Sequence, residues 1–374
     1  MNRNIPKRRF KGYTEPWEEL ILGEVSEILA GGDVNKKKLK KTGEFPVIGN
    51  GLVNEGILGY YDFEYRISAP AVTVTGRGDV GFAKARFKNF TPVVRLLVVK
   101  YEGNSVFLEN SLNLKNVYVE STGVPQLTVP QLGKYIIKIP NLDEQNLIGS
   151  FFKNLDKQID KQGKKVEKLK NLKKAYLSEM FPAEGELSPK RRFKGFTEPW
   201  EEKKLEEVTV ITMGQSPSSK NYSVNPSDYI LVQGNLDMNN GKVIPRIWTC
   251  EVTKIAEKYD LLLSVRAPVG DIAITDYNVV IGRGVAAIKG NDYIYQYFVK
   301  LKFDNYWKNI SSGSTFDSIN SEDIRFLKIK IPCEKEQKLI GSFFKKLDDE
   351  INLEQKKLEK LKQLKQAYLE EMFV

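Results

Sequence analysis

The sequence has no histidine and only two cysteines, Cys250 and Cys333, in 374 residues. Without histidine there are no histidine general bases, no Ser–His or Cys–His nucleophile pairs and no histidine metal ligands. Two distant cysteines build neither a disulfide framework nor a zinc site by themselves. These absences favour a protein of a reducing compartment and exclude several classes of enzyme.

Long apolar runs are also missing. No stretch approaches the ~20 apolar residues that a membrane-spanning helix needs. The first ten residues, MNRNIPKRRF, are basic but no apolar segment follows them, which is unlike a secretory signal. We therefore expect a cytoplasmic protein with no membrane partner. A P-loop is absent as well, which argues against an NTPase motor.

The charge is unbalanced toward the basic side, with a formal net charge of +10. A basic balance favours nucleic acid as a partner over acidic ligands. However, the run KKVEKLKNLKK contributes to the excess, and such runs are often only solvated helix faces. Charge alone therefore leaves the partner open.

Two long stretches, residues 144–181 and 336–373, are near copies that agree at 26 of 38 positions. Each predicts one helix, about 57 Å long at ~1.5 Å per residue. Apolar residues recur at three- and four-residue steps, as in a coiled-coil seam. The predicted interface residues are Leu155, Ile159, Val166, Leu169, Tyr176, Met180, Leu347, Ile351, Leu358, Leu361, Tyr368 and Met372. The two seams most simply pair with each other. The alternative, two solvated connecting helices, fits a helix that is polar on all sides.

A shorter repeat confirms the tandem. Residues 7–25 and 190–208 agree at 15 of 19 positions. Each half of the chain thus reads as a short repeat, a variable block (26–143 or 209–335) and a long repeat. A period of about 190 residues is too long for a solenoid, so each half should hold its own domain. We place the divisions at 1–143, 144–181, 182–335 and 336–374.

The variable blocks read mainly as strands and turns. Predicted strands are 45–48, 71–75, 93–99, 116–119 and 136–140 in the first block, and 229–232, 261–265, 271–275, 285–288 and 329–332 in the second. A helix is predicted over 292–308. The expected fold class is α/β (α+β): two similar mixed domains with twisted, largely antiparallel sheets, separated by two long antiparallel helices in a pseudo-twofold tandem repeat.

The stretch GRGDVG at residues 76–81 fits the GxGxxG fingerprint of dinucleotide sites. That fingerprint requires a helix next, but the following FAKARF alternates like a strand, and the second block has lost the glycines. A β-hairpin with an arginine in its loop is the better interpretation. Arg77 and Arg266 occupy matching places, four residues before Gly81 and Gly270. Such an arginine can contact a phosphate or the O6/N7 edge of guanine; the alternative is a local salt bridge.

Other polar loop residues complete a candidate DNA-facing surface. Asn and Gln suit adenine and Lys suits phosphate, although each residue alone is more often plain surface. The full candidate set is Lys37, Arg77, Lys84, Arg86, Gln126, Gln215, Ser219, Lys220, Gln233, Asn235, Arg266, Arg283 and Thr315.

A catalytic constellation does not stand out. Asn225-Pro226-Ser227 lacks the second proline of the adenine-methyltransferase signature. The neighbouring carboxylates Asp348 and Asp349 are interpreted as complements of a helix dipole, as are Asp143 and Glu144.

The tandem order, the helices ending KLKNLKKAYLSEMF and KLKQLKQAYLEEMF, and the blocks GQSPSSKNY, VQGNLDMNNGKVIPRIW, SVRAPVGDIAIT and IGRGVAAI resemble the specificity subunit of a type I restriction–modification enzyme. The resemblance covers essentially the whole chain. It implies two target-recognition domains, each reading one half of a bipartite double-stranded DNA site, with the helices setting the spacer.

The resemblance also implies partners. The chain would be non-catalytic and would bind no cofactor. It would dock two adenine-methyltransferase subunits, which bind S-adenosylmethionine, and through them the motor–nuclease subunits, which use ATP and Mg. Methylation and host defence would be the role of the complex. Two rivals remain: a single-chain restriction–methylation enzyme or nuclease, for which the two modules leave no room, and a coiled-coil adaptor with two protein-binding domains and no DNA role.

Overall fold

A computed structural model describes residues 4–115, 125–311 and 317–374, which form two compact units. One unit comprises residues 1–162 and 357–374, and the other comprises residues 163–356. The predicted strand at 116–119 and the candidate Thr315 lie outside the described residues. The described helices include none that is both long and apolar enough to cross a membrane. The four-part division by residue number stays a prediction.

The first unit is a mixed domain built on an antiparallel sheet. Its strands are β1 Glu18–Ile21, β2 Ser26–Ala30, β3 Phe45–Ile48, β4 Ile57–Tyr61, β5 Ala71–Thr75, β6 Ala83–Arg86, β7 Thr91–Pro92, β8 Leu96–Tyr101 and β9 Ile136–Ile139. Its helices are α1 Leu22–Val25, α2 Ser105–Asn113, α3 Val129–Gly133 and the start of α4 Leu142–Met180. Strands β2, β8, β5 and β6 lie side by side in that order; a smaller sheet has the order β4-β3-β7, and β1 pairs with β9.

The second unit repeats this plan with larger sheets. Its strands are β10 Glu201–Lys204, β11 Ile211–Met213, β12 Tyr222–Ser223, β13 Tyr229–Val232, β14 Met238–Asn239, β15 Lys242–Val243, β16 Trp248–Thr249, β17 Ile255–Ala256, β18 Leu261–Ser264, β19 Ile272–Ile274, β20 Val279–Ile281, β21 Val285–Ile288 and β22 Lys328–Ile331. Its helices are α5 Leu205–Val208, α6 Asp292–Phe303, α7 Tyr306–Ile310, α8 Ser321–Arg325 and the start of α9 Glu334–Met372. The end of α4 also belongs to this unit, and the end of α9 belongs to the first. The sheet orders are β11-β21-β18-β19-β15-β14 and β12-β16-β13-β20-β17, and β10 pairs with β22.

The prediction of mixed domains with largely antiparallel sheets is confirmed. Among the described ladders, β3–β7, β13–β20 and β15–β19 are parallel and the others are antiparallel. Two element predictions were wrong in detail. The strand predicted over 93–99 starts only at Leu96, because Arg95 adopts a left-handed backbone conformation with φ +70°. The helix predicted over 292–308 breaks at Asn305, which is also left-handed, with φ +57°; Asn tolerates that region better than most residues.

The two long helices form as predicted, and α4 is helical through Gly163. In the first unit, Phe151 packs against Tyr368 with ring centroids 5.0 Å apart, and Asp156 accepts a 2.6 Å hydrogen bond from Lys365. The partner number falls as the residue number rises, so the helix segments are antiparallel. Within the second unit, the equivalent residues make the same antiparallel contacts: Tyr176 with Phe343, and Lys173 with Asp348.

Candidate nucleic-acid interface

The frame around the candidate surface is fixed by the second arginine of each short repeat. In the first unit, Arg9 donates two hydrogen bonds to the Glu144 carboxylate, at 2.9 and 2.6 Å, from Nε and a terminal nitrogen. The Arg192 guanidinium binds Glu336 in the same fork, at 2.9 and 2.7 Å. Both carboxylates are fully buried, and a buried carboxylate requires such pairing. The predicted role of Glu144 as a complement of the helix dipole alone is therefore incomplete.

The first arginine of each short repeat reaches the end of the other long helix. In the first unit, Arg8 binds Glu371 at 2.5 Å; in the second unit, Arg191 binds Glu179 at 2.6 Å. These pairs are exposed, unlike the buried pairs of the neighbouring arginines. The short repeat therefore ties the start of one long helix to the end of the other within each unit.

The hairpin loops carry the two arginines as predicted. Strands β5 and β6 form an antiparallel hairpin around Arg77, and β18 and β19 form the equivalent hairpin around Arg266. Each loop closes with a left-handed glycine, Gly81 or Gly270, with φ near +90°. The GxGxxG stretch therefore forms the loop of a β-hairpin and does not begin a helix.

Both loop arginines are exposed. The Arg77 and Arg266 guanidinium groups have no hydrogen-bond or ion-pair partner among the described residues, so the local salt-bridge alternative finds no support there. A segment near the end of each variable block lies against the loop: Gln126 forms a β-bridge with Arg77, and Ser318 forms one with Arg266. The structure thus brings Gln126 to Arg77, and both side chains are exposed.

Two candidates of the first hairpin point inward instead. The Arg86 guanidinium donates to Thr73 Oγ1 at 3.0 Å and to the Glu55 backbone oxygen at 2.9 Å. Burial lowers the pKa of Arg86. Lys84 lies 3.5 Å from the buried carboxylate of Glu109. Burial raises the pKa of Glu109, and the charge of Lys84 partly opposes this effect. Both side chains therefore have structural partners within the unit.

Three candidates of the second unit meet at neighbouring loops. The backbone N–H of Gln215 donates to the Ile281 oxygen at 2.9 Å, next to the turn that carries Arg283. The Arg283 N–H donates to Ser216 Oγ at 3.0 Å. A β-carbon on Gly284 would stand 2.2 Å from the Gln233 oxygen, so these loops touch through their backbones.

The remaining candidates are less connected. Asn235 starts a 3₁₀ turn, Asn235–Asp237, and is half-buried. Lys37, Ser219 and Lys220 are exposed on 3₁₀ turns at Lys36–Lys38 and Ser219–Asn221. Their participation in a DNA surface stays a prediction.

None of the twelve predicted helix-interface residues is exposed. Leu155, Val166, Met180, Leu347, Ile351 and Met372 are buried, and the other six are half-buried. Sequence reasoning missed the ion pairs Lys173–Asp348 and Lys365–Asp156, because the partners are 175 and 209 residues apart in the sequence. The dipole interpretation of Asp348 was wrong, since this residue lies in the middle of α9 and also accepts a 2.7 Å hydrogen bond from Gln296.

Comparison with known proteins identifies a family. Two stretches of the chain, residues 14–171 and 197–363, match the family described as the type I restriction modification DNA specificity domain.

The curated relatives include two specificity subunits of Methanocaldococcus jannaschii. The "Putative type I restriction enzyme MjaX specificity subunit" is 27% identical over 413 residues, covering 98% of this chain and 95% of that protein. The MjaVIII specificity subunit is 23% identical over 291 residues, covering 71% of this chain and 68% of that protein.

Solved structures share the fold over nearly the full length. The S subunit of a type I restriction–modification system from M. genitalium superposes with a TM-score of 0.73 at 15% identity, with 99% of each chain covered. A chain from the work "Structural basis underlying complex assembly and conformational transition of the type I R-M system" gives a TM-score of 0.57 at 21% identity, covering 96% of this chain and 98% of that one.

Proposed function

The chain belongs to the family of type I restriction–modification DNA specificity domains, and we propose that each of its two units reads one half of a bipartite double-stranded DNA site. The observation that carries this proposal is the exposed arginine loop that recurs in both units. Arg77 and Arg266 occupy equivalent hairpins, and an arginine without an internal partner is suited to guanine or phosphate.

The long helices have a second role in this proposal. Each is 39 residues long and continuous from one unit into the other. A helix rises ~1.5 Å per residue, so its length sets a distance, and that distance becomes the unread spacer between the half-sites.

Catalysis and cofactors belong to partners in this proposal. The chain docks two adenine-methyltransferase subunits, which bind S-adenosylmethionine, and through them motor–nuclease subunits, which use ATP and Mg. The likeness to a structure described in terms of complex assembly supports this arrangement. The chain itself contributes recognition and geometry in the cytoplasm.

Adenine-methylation mapping tests the function directly. A host free of methylation would express this chain together with a cognate methyltransferase subunit, and a second culture would express that subunit alone. We expect one split motif, methylated on both strands, only in the presence of this chain. If the two proteins co-purify but no motif is methylated, DNA recognition is wrong and an adaptor role remains. Failure to associate would contradict the proposed partnership.

A further inference from the structure

Three loops of the first unit meet at one glycine. A β-carbon on Gly76 would stand 2.2 Å from the backbone oxygen of Arg95 and 2.9 Å from that of Leu127. The Leu127 N–H also donates to the Gly76 oxygen at 3.0 Å. Only glycine fits so tight an approach. The loops that carry Arg77, Arg95 and Gln126 are therefore in backbone contact.

One carboxamide fixes two of these loops. Asn50 Oδ1 accepts a 2.9 Å hydrogen bond from the Gly76 N–H, and Asn50 Nδ2 donates to the Val94 oxygen at 3.2 Å. The residue before Arg77 and the residue before Arg95 are thus held by the same side chain. The spacing of the two arginines is set by the fold.

The contacts of the described residues do not explain why an arginine occupies position 95. It is exposed, and its side chain has no hydrogen-bond or ion-pair partner within the part of the chain that the structure describes. Its φ of +70° lies in the left-handed region, which is uncommon for a long side chain and tends to occur at functional sites. Glycine or asparagine would suit the turn better, so the turn alone does not account for an arginine.

The second unit closes a matching turn, residues 282–285, with the same backbone hydrogen bond and also places an arginine in it, but none of these four residues is left-handed. The Leu96 N–H donates to the Val93 oxygen at 3.0 Å, and the Val285 N–H donates to the Gly282 oxygen at 3.0 Å. In the second turn the arginine is Arg283, one position earlier than in the first turn. Each unit therefore presents a hairpin arginine beside a turn arginine, with a different offset between them.

We propose that Arg95 is a specificity-determining residue of the first unit and that it donates to the O6 and N7 atoms of a guanine in the first half-site. This inference rests on the proposed function. A guanidinium group offers five donors and no acceptor, and the bidentate arginine–guanine contact is the commonest specific contact in the major groove. Because Arg95 is held beside Arg77, the two guanidinium groups together favour a base edge that is rich in hydrogen-bond acceptors.

Methylation mapping of two variants tests the proposal. Arg95→Gly keeps the left-handed turn and removes the guanidinium, while Arg95→Lys keeps the charge without the planar fork. We expect both variants to accept other bases at one guanine of the first half-site, with the second half-site and the spacer unchanged. Lys88→Ala, which removes an exposed charge of the same unit outside these loops, is the control and should keep the original motif.

Binding to modified DNA separates base from phosphate contact. Replacing that guanine by 7-deazaguanine removes the N7 acceptor, and we expect the unmodified protein in complex with its methyltransferase subunit to lose affinity about 5- to 100-fold. The complex that contains the Arg95→Gly variant should bind the modified DNA with nearly the same affinity as the unmodified DNA.

The possible failures are distinguishable. If the unmodified chain directs no split motif, the proposed function fails. If it directs a split motif that Arg95→Gly and Arg95→Lys leave unchanged, only this inference fails. Equal loss of binding on all sequences in Arg95→Gly, restored by Arg95→Lys, would mean a phosphate contact and would also overturn it.

Discussion

At the scale of single residues, the hairpin arginines should act on separate halves of the DNA site. We expect Arg77→Ala to weaken binding to DNA with an intact first half-site only, and Arg266→Ala to affect only the second. Loss of a good bidentate contact costs about 1–3 kcal/mol. Binding to duplexes with one scrambled half would show this, and each variant controls for the other. Equal loss on every duplex would point to phosphate contacts.

The paired arginines of the short repeat differ in burial and should therefore differ in importance. We expect Arg192→Ala to lower the free energy of unfolding of the second unit by about 3–5 kcal/mol, because it leaves the buried Glu336 carboxylate with the Trp200 N–H but without its charge partner. The neighbouring Arg191→Ala, which breaks only an exposed pair, should have a much smaller effect. Denaturant unfolding followed by hydrogen exchange within residues 163–356 measures both. Equal effects would contradict the burial argument.

The buried carboxyl of Glu109 should make the first unit sensitive to pH. Burial raises the pKa of Glu109 in the folded state, so folded protein binds more protons than unfolded protein between the two pKa values, and stability falls as pH rises through that window. Glu109→Gln should therefore stabilise the unit above the window, and the gain should vanish as pH falls below the unfolded value. The second unit already has Gln296 at the equivalent helix position.

Denaturant midpoints across pH would measure this gain, with the exposed Glu102→Gln as the control. A gain that is the same at every pH would contradict the assignment, because it would not come from the titration of Glu109.

At the scale of elements, the sequence predicted the helices and strands whose apolar residues repeat or alternate at a regular spacing. The long helices, the hairpins and most strands follow from apolar spacing, since these signals are local. The turn at Arg95 was not predictable, because its left-handed backbone comes from contacts with Gly76 and Asn50, which are distant in sequence. The pair of Lys173 with Asp348 was missed for the same reason: its partners are 175 residues apart.

The helix length should control the spacer. Residues 161–167 and 353–359 are equivalent heptads of the two long repeats, and deleting both keeps the apolar seam in phase. We expect the helices to shorten by about 10 Å, which corresponds to about three base pairs of DNA. Methylation mapping of this variant should show unchanged half-sites and a shorter spacer. An unaltered spacer would contradict the ruler role.

At the scale of the whole molecule, the core of each unit contains a phenylalanine from the other tandem half of the sequence. Phe373 packs against Trp17, Phe107 and Phe152 in the first unit. Its repeat counterpart Phe181 packs against Trp200, Tyr293 and Phe344 in the second unit. The end of the second long repeat therefore packs in the core of the first unit, and the end of the first long repeat packs in the core of the second.

This crossing predicts where mutations act. Phe373→Ala should speed proteolysis and hydrogen exchange within residues 4–115, and Phe181→Ala should do so within residues 163–356. The cost should be about 3–5 kcal/mol for the buried Phe181 and less for the half-buried Phe373. Damage confined to the half that contains the mutation in sequence would contradict the crossed arrangement.

The division of the first unit between residues 1–162 and 357–374 also has a consequence for biosynthesis. A ribosome completes the continuous second unit before it has made the last segment of the first, so the half that is translated earlier finishes folding later. Throughout that interval the apolar side chains that will pack against Tyr368, Met372 and Phe373 stay accessible to chaperones and proteases. A frameshift shortly before residue 357 would accordingly abolish recognition of the half-site assigned to the first unit.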